Sequence, residues 1–261
     1  MENILTRIIS EKKQEISRLK EIHKTFQTNS LEKRSFIQKL QVAEEICVIA
    51  EFKRASPSKG IINANIDPVE QAKLYETSGA SALSVLTDNT FFKGSFDDLK
   101  IIRENVGLPI LCKDFIIDRV QIEMASASGA DIILLIAAAL DASQLSELHH
   151  HATQLGVEVL VEVHNLEDLD KAFKAGSRLI GVNNRDLKTF NVSLDFTLEL
   201  GPMVKSFGAY LISESGIFTS SDAKRVRDVG ADGILVGEAL MTSANIQKSI
   251  ADFKIPLLRE M

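Results

Sequence analysis

Short apolar runs recur along the chain, each followed by a stretch whose apolar residues return at helical spacing. The runs are CVIAEFK (47–53), SALSVL, LPILCK, DIILLI, VEVLVEV, RLIGVN, AYLISE and DGILVG. Seven glycines stand just before the second to eighth runs: Gly79, Gly107, Gly129, Gly156, Gly176, Gly208 and Gly230. A glycine past a helix end takes the left-handed cap at no steric cost, so each predicts a helix-to-strand junction. They recur roughly every 25 residues, room for one strand, one helix and two short loops. The runs are continuously apolar, as in parallel strands covered on both faces. Eight such units predict a (β/α)8 barrel. A doubly wound sheet is the alternative. It favours a glycine-rich loop after its first strand, where this chain reads RASPSKG.

Residues 1–45 precede the repeat. Ile4, Leu5, Ile8, Ile9, Ile16, Leu19 and Ile22 fall near helical spacing among many charges. The pattern predicts an N-terminal helical extension of one or two amphipathic helices, packed on a barrel domain of residues 46–261. A surface cap and a lid over the barrel mouth fit it equally.

Charges at the ends of apolar strands are informative, because burying a lone charge is costly and barrel active sites gather at those ends. Glu51 and Lys53 share one face of the first strand. The third strand ends at Lys113, before Asp114 and Phe115. The fifth carries Glu158, Leu160 and Glu162 on one parity and four valines on the other. The sixth runs into Asn183, Asn184 and Arg185, and the seventh ends at Glu214. On a barrel, Glu51, Lys53, Lys113, Glu162, Asn183, Arg185 and Glu214 converge on one mouth. The last two strand ends add Ser215-Gly216 and Gly237-Glu238, loops that cradle a phosphate through backbone N–H groups in many barrels. His164 shares the parity of Glu162 and reads as a structural rim group. His149, His150 and His151 read as a solvated helix face, Lys59 as a solvated lysine. Cys112 has the opposite parity to Lys113 and should face the helices, away from any chemistry.

Composition narrows the functional classes. The chain has 261 residues, 45% hydrophobic and 25% charged, with a formal net charge of −6. An acidic balance argues against a nucleic-acid surface. No run reaches membrane-spanning length, and the charged N-terminus lacks the apolar core of a signal peptide. Two cysteines in apolar runs predict free thiols in a reducing compartment, here the cytoplasm. No Cys/His spacing predicts a metal site.

The segment IAEFKRASPSKG (49–60) resembles the signature of the indole-3-glycerol-phosphate synthases. The resemblance continues at LCKDF (111–115), VEV (161–163), GVNNRDL (181–187), SESGI (213–217) and VGEALM (236–241), in the family's order. It extends to the N-terminal helical extension and is to the monofunctional form, since the sequence stops at Met261. It implies a (β/α)8 lyase of tryptophan biosynthesis. The substrate would be 1-(2-carboxyphenylamino)-1-deoxyribulose 5-phosphate, closed to indole-3-glycerol phosphate with loss of carbon dioxide and water. No cofactor or metal is implied. The only partner is that phosphorylated small molecule, with no nucleic acid and no membrane, and the chain is taken as a monomer.

Residue roles follow from the resemblance. Lys113 would protonate the substrate carbonyl as the ring closes, its pKa lowered by partial burial and by Lys53 and Arg185. Glu162 would act in dehydration. Glu51 would orient a lysine, Asn183 and Arg185 would hold the intermediate, and Glu214 would sit by the anilino nitrogen. Lys53 and Ser56 would meet anionic groups. Phe115 and Leu135 would pack on the aromatic ring, and Ser215, Gly216, Gly237 and Glu238 would hold the phosphate. A neighbouring isomerase of the pathway and a non-catalytic barrel that binds a phosphorylated metabolite are the competing readings.

Overall fold

Eight parallel strands close into a barrel in the computed structural model, which describes residues 4–23, 31–57, 59–63, 66–186 and 189–258. Ser58 and Leu187 of the sequence blocks above lie outside those residues. The strands are β1 (Cys47–Phe52), β2 (Ala82–Leu86), β3 (Ile110–Lys113), β4 (Ile132–Ile136), β5 (Glu158–Val163), β6 (Leu179–Asn183), β7 (Tyr210–Glu214) and β8 (Gly233–Val236). Each pairs with its sequence neighbours, and β1 pairs with β8 to close the ring. The runs predicted from the apolar pattern are the strands observed.

The helices are α1 (Ile4–His23), α2 (Phe36–Val42), α3 (Pro68–Thr77), α4 (Asn89–Phe92), α5 (Phe96–Asn105), α6 (Arg119–Ala127), α7 (Ala142–Gln154), α8 (Leu166–Lys174), α9 (Asp195–Ser206), α10 (Ser220–Asp228), α11 (Glu238–Met241) and α12 (Ile246–Phe253). Their starts are written in the sequence. Asp118, Asp141 and Thr219 each close a capping box with the residue three places on, satisfying two otherwise orphaned backbone N–H groups. Six of the seven junction glycines have positive φ. Gly107 is the exception: α5 ends in extended backbone at Val106, and the Gly107 N–H donates to Glu76 instead.

Strand parity divides the core in two. Ile49, Leu111, Leu134, Leu160, Ile212 and Leu235 point into the barrel. Val48, Leu83, Cys112, Ile133, Val161 and Ile180 pack outward under the helices. At the start of the strands the interior is stoppered by Phe36 and Leu40 of α2. That helix is held by Glu158, which accepts from the Ser35 hydroxyl and from the backbone N–H groups of Phe36 (3.0 Å) and Ile37 (3.1 Å). A carboxylate on a helix N-terminus is favourably placed against the helix dipole. Glu158 shares the parity of Glu162 but serves the opposite end of the barrel.

α1 takes the other end. Ile16 and Leu19 pack on Val120 and Met124 of α6. Ile4, Leu5 and Ile8 line the cavity at the C-terminal ends of the strands. α1 therefore forms part of the wall of the mouth.

Candidate active site

The mouth opens as a cavity of about 190 Å³ lined by the ends of all eight strands, their following loops and α1. At its floor stands Lys113, the last residue of β3. Its Nζ donates to Glu162 Oε2 on β5 (3.0 Å) and to Glu214 Oε2 on β7 (2.5 Å). Both carboxylates are almost wholly buried. Lys53 lies beside them, paired with Glu51 Oε1 at 2.5 Å. Asn183 Oδ1 accepts the backbone N–H of Arg185 (3.0 Å), and the Arg185 guanidinium reaches the Phe190 carbonyl (3.4 Å). All seven charged or amide residues named from strand ends line this one cavity.

The field at Lys113 differs from expectation. Burial lowers the pKa of its ammonium, but Glu214, Glu162 and Glu51 outweigh burial and hold it above the ordinary lysine range. Lys53 is committed to Glu51 and does not press on Lys113. The physical reason is register: β3, β5 and β7 bring two carboxylates within hydrogen-bond reach of Lys113. The carboxylates divide. Burial pushes Glu162 up, yet Lys113 and His164 bring its carboxyl below the usual range. Burial pushes Glu214 up to about 7, against the pull of Lys113 and with the charge of Glu162 adding to the rise. Near neutral pH the floor therefore holds an ammonium, an ionised Glu162 and a Glu214 that is part protonated.

One wall is apolar. Phe115 and Phe92 pack with ring centroids 6.0 Å apart, and Leu134, Ile136, Ile4, Leu5 and Ile8 complete the surface. Leu135 does not belong to it. It points outward into the core under the helices, and its neighbours Leu134 and Ile136 line the cavity instead. Beyond Asp131 the run IILLI is apolar on both faces, which hides its parity from sequence. Cys112 faces outward as expected, where burial pushes its thiol up to about 12.

The opposite wall carries the two glycine-bearing loops. Ser215 and Gly216, which line the cavity, have φ of +65° and +80°, and backbone turns of this kind form anion-binding concavities. Asn184, fully buried, fixes this loop: its Nδ2 donates to the carbonyls of Glu214 and Ser215, and its Oδ1 accepts from Thr197. Gly237 and Glu238 face it from β8, and Lys59 draws the Glu238 carboxylate aside at 3.2 Å. Ser56 lies on a short hairpin, Ala55–Ser56 with Gly60–Ile61, at the same rim.

Two glycines also make room for the carboxylates. A Cβ at Gly181 would collide with Glu214 Oε1, and one at Gly237 with Glu51 Oε1. Gly181 was not singled out in the sequence, although an isolated glycine within a strand signals close approach of another group. Gly181→Ala should cost about 1–3 kcal/mol of stability and displace Glu214 from Lys113. Thermal unfolding and kcat read the two effects together; unchanged values for both would show the space is not needed.

Sequence reasoning also missed Lys12. It sits on α1, 1% exposed, with its Nζ 2.7 Å from Asp114, 3.1 Å from Asp88 and 2.8 Å from Glu15. Asp114 directly follows Lys113 and accepts from the Thr87 hydroxyl (2.6 Å). Asp88 caps α4, which carries Phe92. Lys12 thus ties α1 to both loops that build the apolar wall. The signal was present: Leu5, Ile8, Lys12, Ile16 and Leu19 form one helical stripe, with the lysine in its middle.

Comparison with known proteins agrees with this geometry. Residues 5–253 match the indole-3-glycerol phosphate synthase family. An indole-3-glycerol phosphate synthase of Exiguobacterium sibiricum is 51% identical over 243 residues, 93% of each chain. One of Oceanobacillus iheyensis is 47% identical over 254 residues, 97% of each chain. Among solved structures, a thiamine phosphate pyrophosphorylase from Pyrococcus furiosus has a TM-score of 0.59 at 19% identity, covering 80% of this chain and 93% of its own, a likeness of fold alone. With a family match over nearly its whole length, the chain belongs to the indole-3-glycerol phosphate synthases.

Proposed function

We propose that this cavity converts 1-(2-carboxyphenylamino)-1-deoxyribulose 5-phosphate to indole-3-glycerol phosphate, the carboxy-lyase step of tryptophan biosynthesis, with Lys113 and Glu162 as its principal acid and base. The observation that carries the reading is the placement of one ammonium, Lys113, between two buried carboxylates, on a floor that separates an apolar wall from two glycine-bearing loops. That division matches a molecule with an aromatic ring at one end and a phosphate at the other.

In this reading the ring packs on Phe115, Phe92, Leu134 and Ile136. The phosphate rests on backbone N–H groups of Ser215, Gly216, Gly237 and Glu238. Glu238 serves through its backbone, since its carboxylate would repel the anion. Lys53 and Ser56 meet the remaining anionic groups. Held at both ends, the molecule is bent so that its ring carbon bearing the carboxylate reaches the keto carbon. As that carbon–carbon bond forms, electrons move to the keto oxygen and Lys113 delivers a proton there. Loss of carbon dioxide returns the electron pair to the ring and restores its aromaticity.

The remaining carbinol must lose water. Its oxygen leaves as water on a proton drawn from solvent, the one proton the overall reaction consumes, while a proton comes off the neighbouring methylene carbon to form the pyrrole double bond. Glu162, ionised and hydrogen-bonded to Lys113, is the base for this step. Lys113, deprotonated by the first, is regenerated through the same contact. Glu214 sits by the anilino nitrogen as a part-protonated reserve, Glu51 orients Lys53, and Asn183 and Arg185 hold the hydroxyls of the intermediate. These roles call on the chain's own acids and bases and on no cofactor.

Cys47 and Cys112 are buried free thiols, which supports a cytoplasmic setting, and among the described residues no helix is long and apolar enough to cross a membrane. A monomer is the assembly this reading assigns.

The test uses the absence of tryptophan from the chain. Added substrate should produce indole fluorescence under tryptophan-selective excitation, growing in proportion to protein. Tight binding with no fluorescence rise would remove the synthase reading and leave a barrel that holds a phosphorylated ligand without turnover.

A further inference from the structure

One imidazole stands directly behind Glu162. His164 follows β5 at the rim, its side chain 12% exposed. Its Nε2 lies 3.4 Å from Glu162 Oε1, and its Nδ1 lies 3.6 Å from Asp168 Oδ2. Asp168, in the first turn of α8, also accepts the His164 backbone N–H at 3.2 Å. The other oxygen of Glu162 faces Lys113 at 3.0 Å. Asp168, His164, Glu162 and Lys113 therefore form a row from the outer rim to the cavity floor. Neither ring nitrogen is spent on a well-aligned structural hydrogen bond.

The charged groups facing His164 are Glu162 from β5, Asp168 from α8, and Glu214 from β7. Lys171 of α8 stands 3.8 Å from Asp168 on its far oxygen. Those facing Glu162 are Lys113 and His164, with the Asn183 amide as a further donor. An imidazole with a carboxylate on either side favours its charged form. Burial opposes that charge at His164, but Asp168 and Glu162 outweigh burial and raise its pKa. A cation behind one oxygen of Glu162 keeps the carboxylate ionised and leaves the other oxygen for Lys113 and substrate.

We propose that His164 is a positioning residue for the reaction: as an imidazolium held by Asp168, it fixes Glu162 as an ionised base aimed at Lys113 and the cavity. The proposal deepens the reading above and rests on Glu162 acting in dehydration.

The experiment compares kcat and KM across pH, from about 5 to 9, for the wild type, His164→Gln, His164→Lys and Glu162→Gln with the carboxyphenylamino-deoxyribulose phosphate. Loss of the cation makes Glu162 harder to ionise, so the acid limb of kcat should move to higher pH in His164→Gln. A displacement of one pH unit lowers kcat about tenfold on that limb, while KM stays within about twofold. His164→Lys retains a cation and should keep the limb near its original place. An unmoved acid limb in His164→Gln overturns the proposal, whether kcat is retained or falls together with stability. Wild-type turnover in Glu162→Gln removes the underlying role of Glu162 and the proposal with it. A dead Glu162→Gln beside an unmoved His164→Gln removes the proposal alone. If His164→Gln fails to fold, histidine ¹⁵N chemical shifts of the wild type decide. An imidazolium at His164 that persists above the free-imidazole range supports the proposal, and a neutral ring at about pH 7 overturns it.

Discussion

Lys113→Ala should lower kcat by about 10²–10⁴, the range expected when a general acid is removed, while the barrel still folds. Removing one partner from a buried ion pair commonly costs about 3–5 kcal/mol, because the other charge is left unpaired. Here the charge left over has an exit. Burial already pushes the Glu214 carboxyl up to about 7, even with Lys113 beside it. Without Lys113 it rises further and takes a proton near neutral pH. A carboxyl whose folded pKa exceeds its unfolded value favours folding at low pH, and that contribution is lost as pH rises through the folded value. The variant should therefore come close to wild-type thermal stability at about pH 6 and fall behind at about pH 8.5. An equal deficit at both would show that Glu214 does not take up the proton.

Lys12→Met should be the most destabilising change on α1, by about 3–5 kcal/mol. Methionine preserves most of the volume but leaves Asp88 and Asp114 buried without their shared cation. Burial disfavours the Lys12 ammonium, yet the two aspartates outweigh burial and raise its pKa strongly. The effect should reach the substrate. Release of α1 withdraws Ile4, Leu5 and Ile8 from the cavity and loosens the loops that carry Phe92 and Phe115. KM should rise together with the fall in thermal stability, and limited proteolysis should cut α1 first. A methionine variant with wild-type stability and an uncut α1 would contradict this.

The fold was legible because it rests on local rules repeated along the chain. Apolar runs, helix caps and junction glycines recur at the spacing of one strand and one helix, so the eight units could be counted before any contact was known. Much of the cavity was legible for a similar reason. A charge such as Glu162 or Lys113 at the end of an apolar strand is costly unless the strand end is where chemistry happens. What failed to show was relational. Leu135 was expected on the ring wall, but beyond Asp131 the run IILLI has no polar residue to mark its faces, and Leu135 points outward. The pKa of Lys113 was expected to fall under burial, Lys53 and Arg185, whereas the groups that set it, Glu162 and Glu214, arrive from β5 and β7. Glu158 shares a parity with Glu162 but lies at the other end of the same strand, holding α2. Lys12 was readable, on the apolar stripe of α1, and was passed over among the other charges of that segment.

The division of labour between Lys113 and Glu162 is the central claim, and carbon dioxide separates the two roles. A single turnover with substrate labelled at its carboxylate, quenched at intervals, counts carbon dioxide released against indole formed. Lys113→Ala should release neither at an appreciable rate, since ring closure precedes decarboxylation. Glu162→Gln should release carbon dioxide well ahead of indole, leaving a decarboxylated carbinol detectable by mass. Carbon dioxide and indole appearing in step in Glu162→Gln, or prompt carbon dioxide release in Lys113→Ala, would contradict the account.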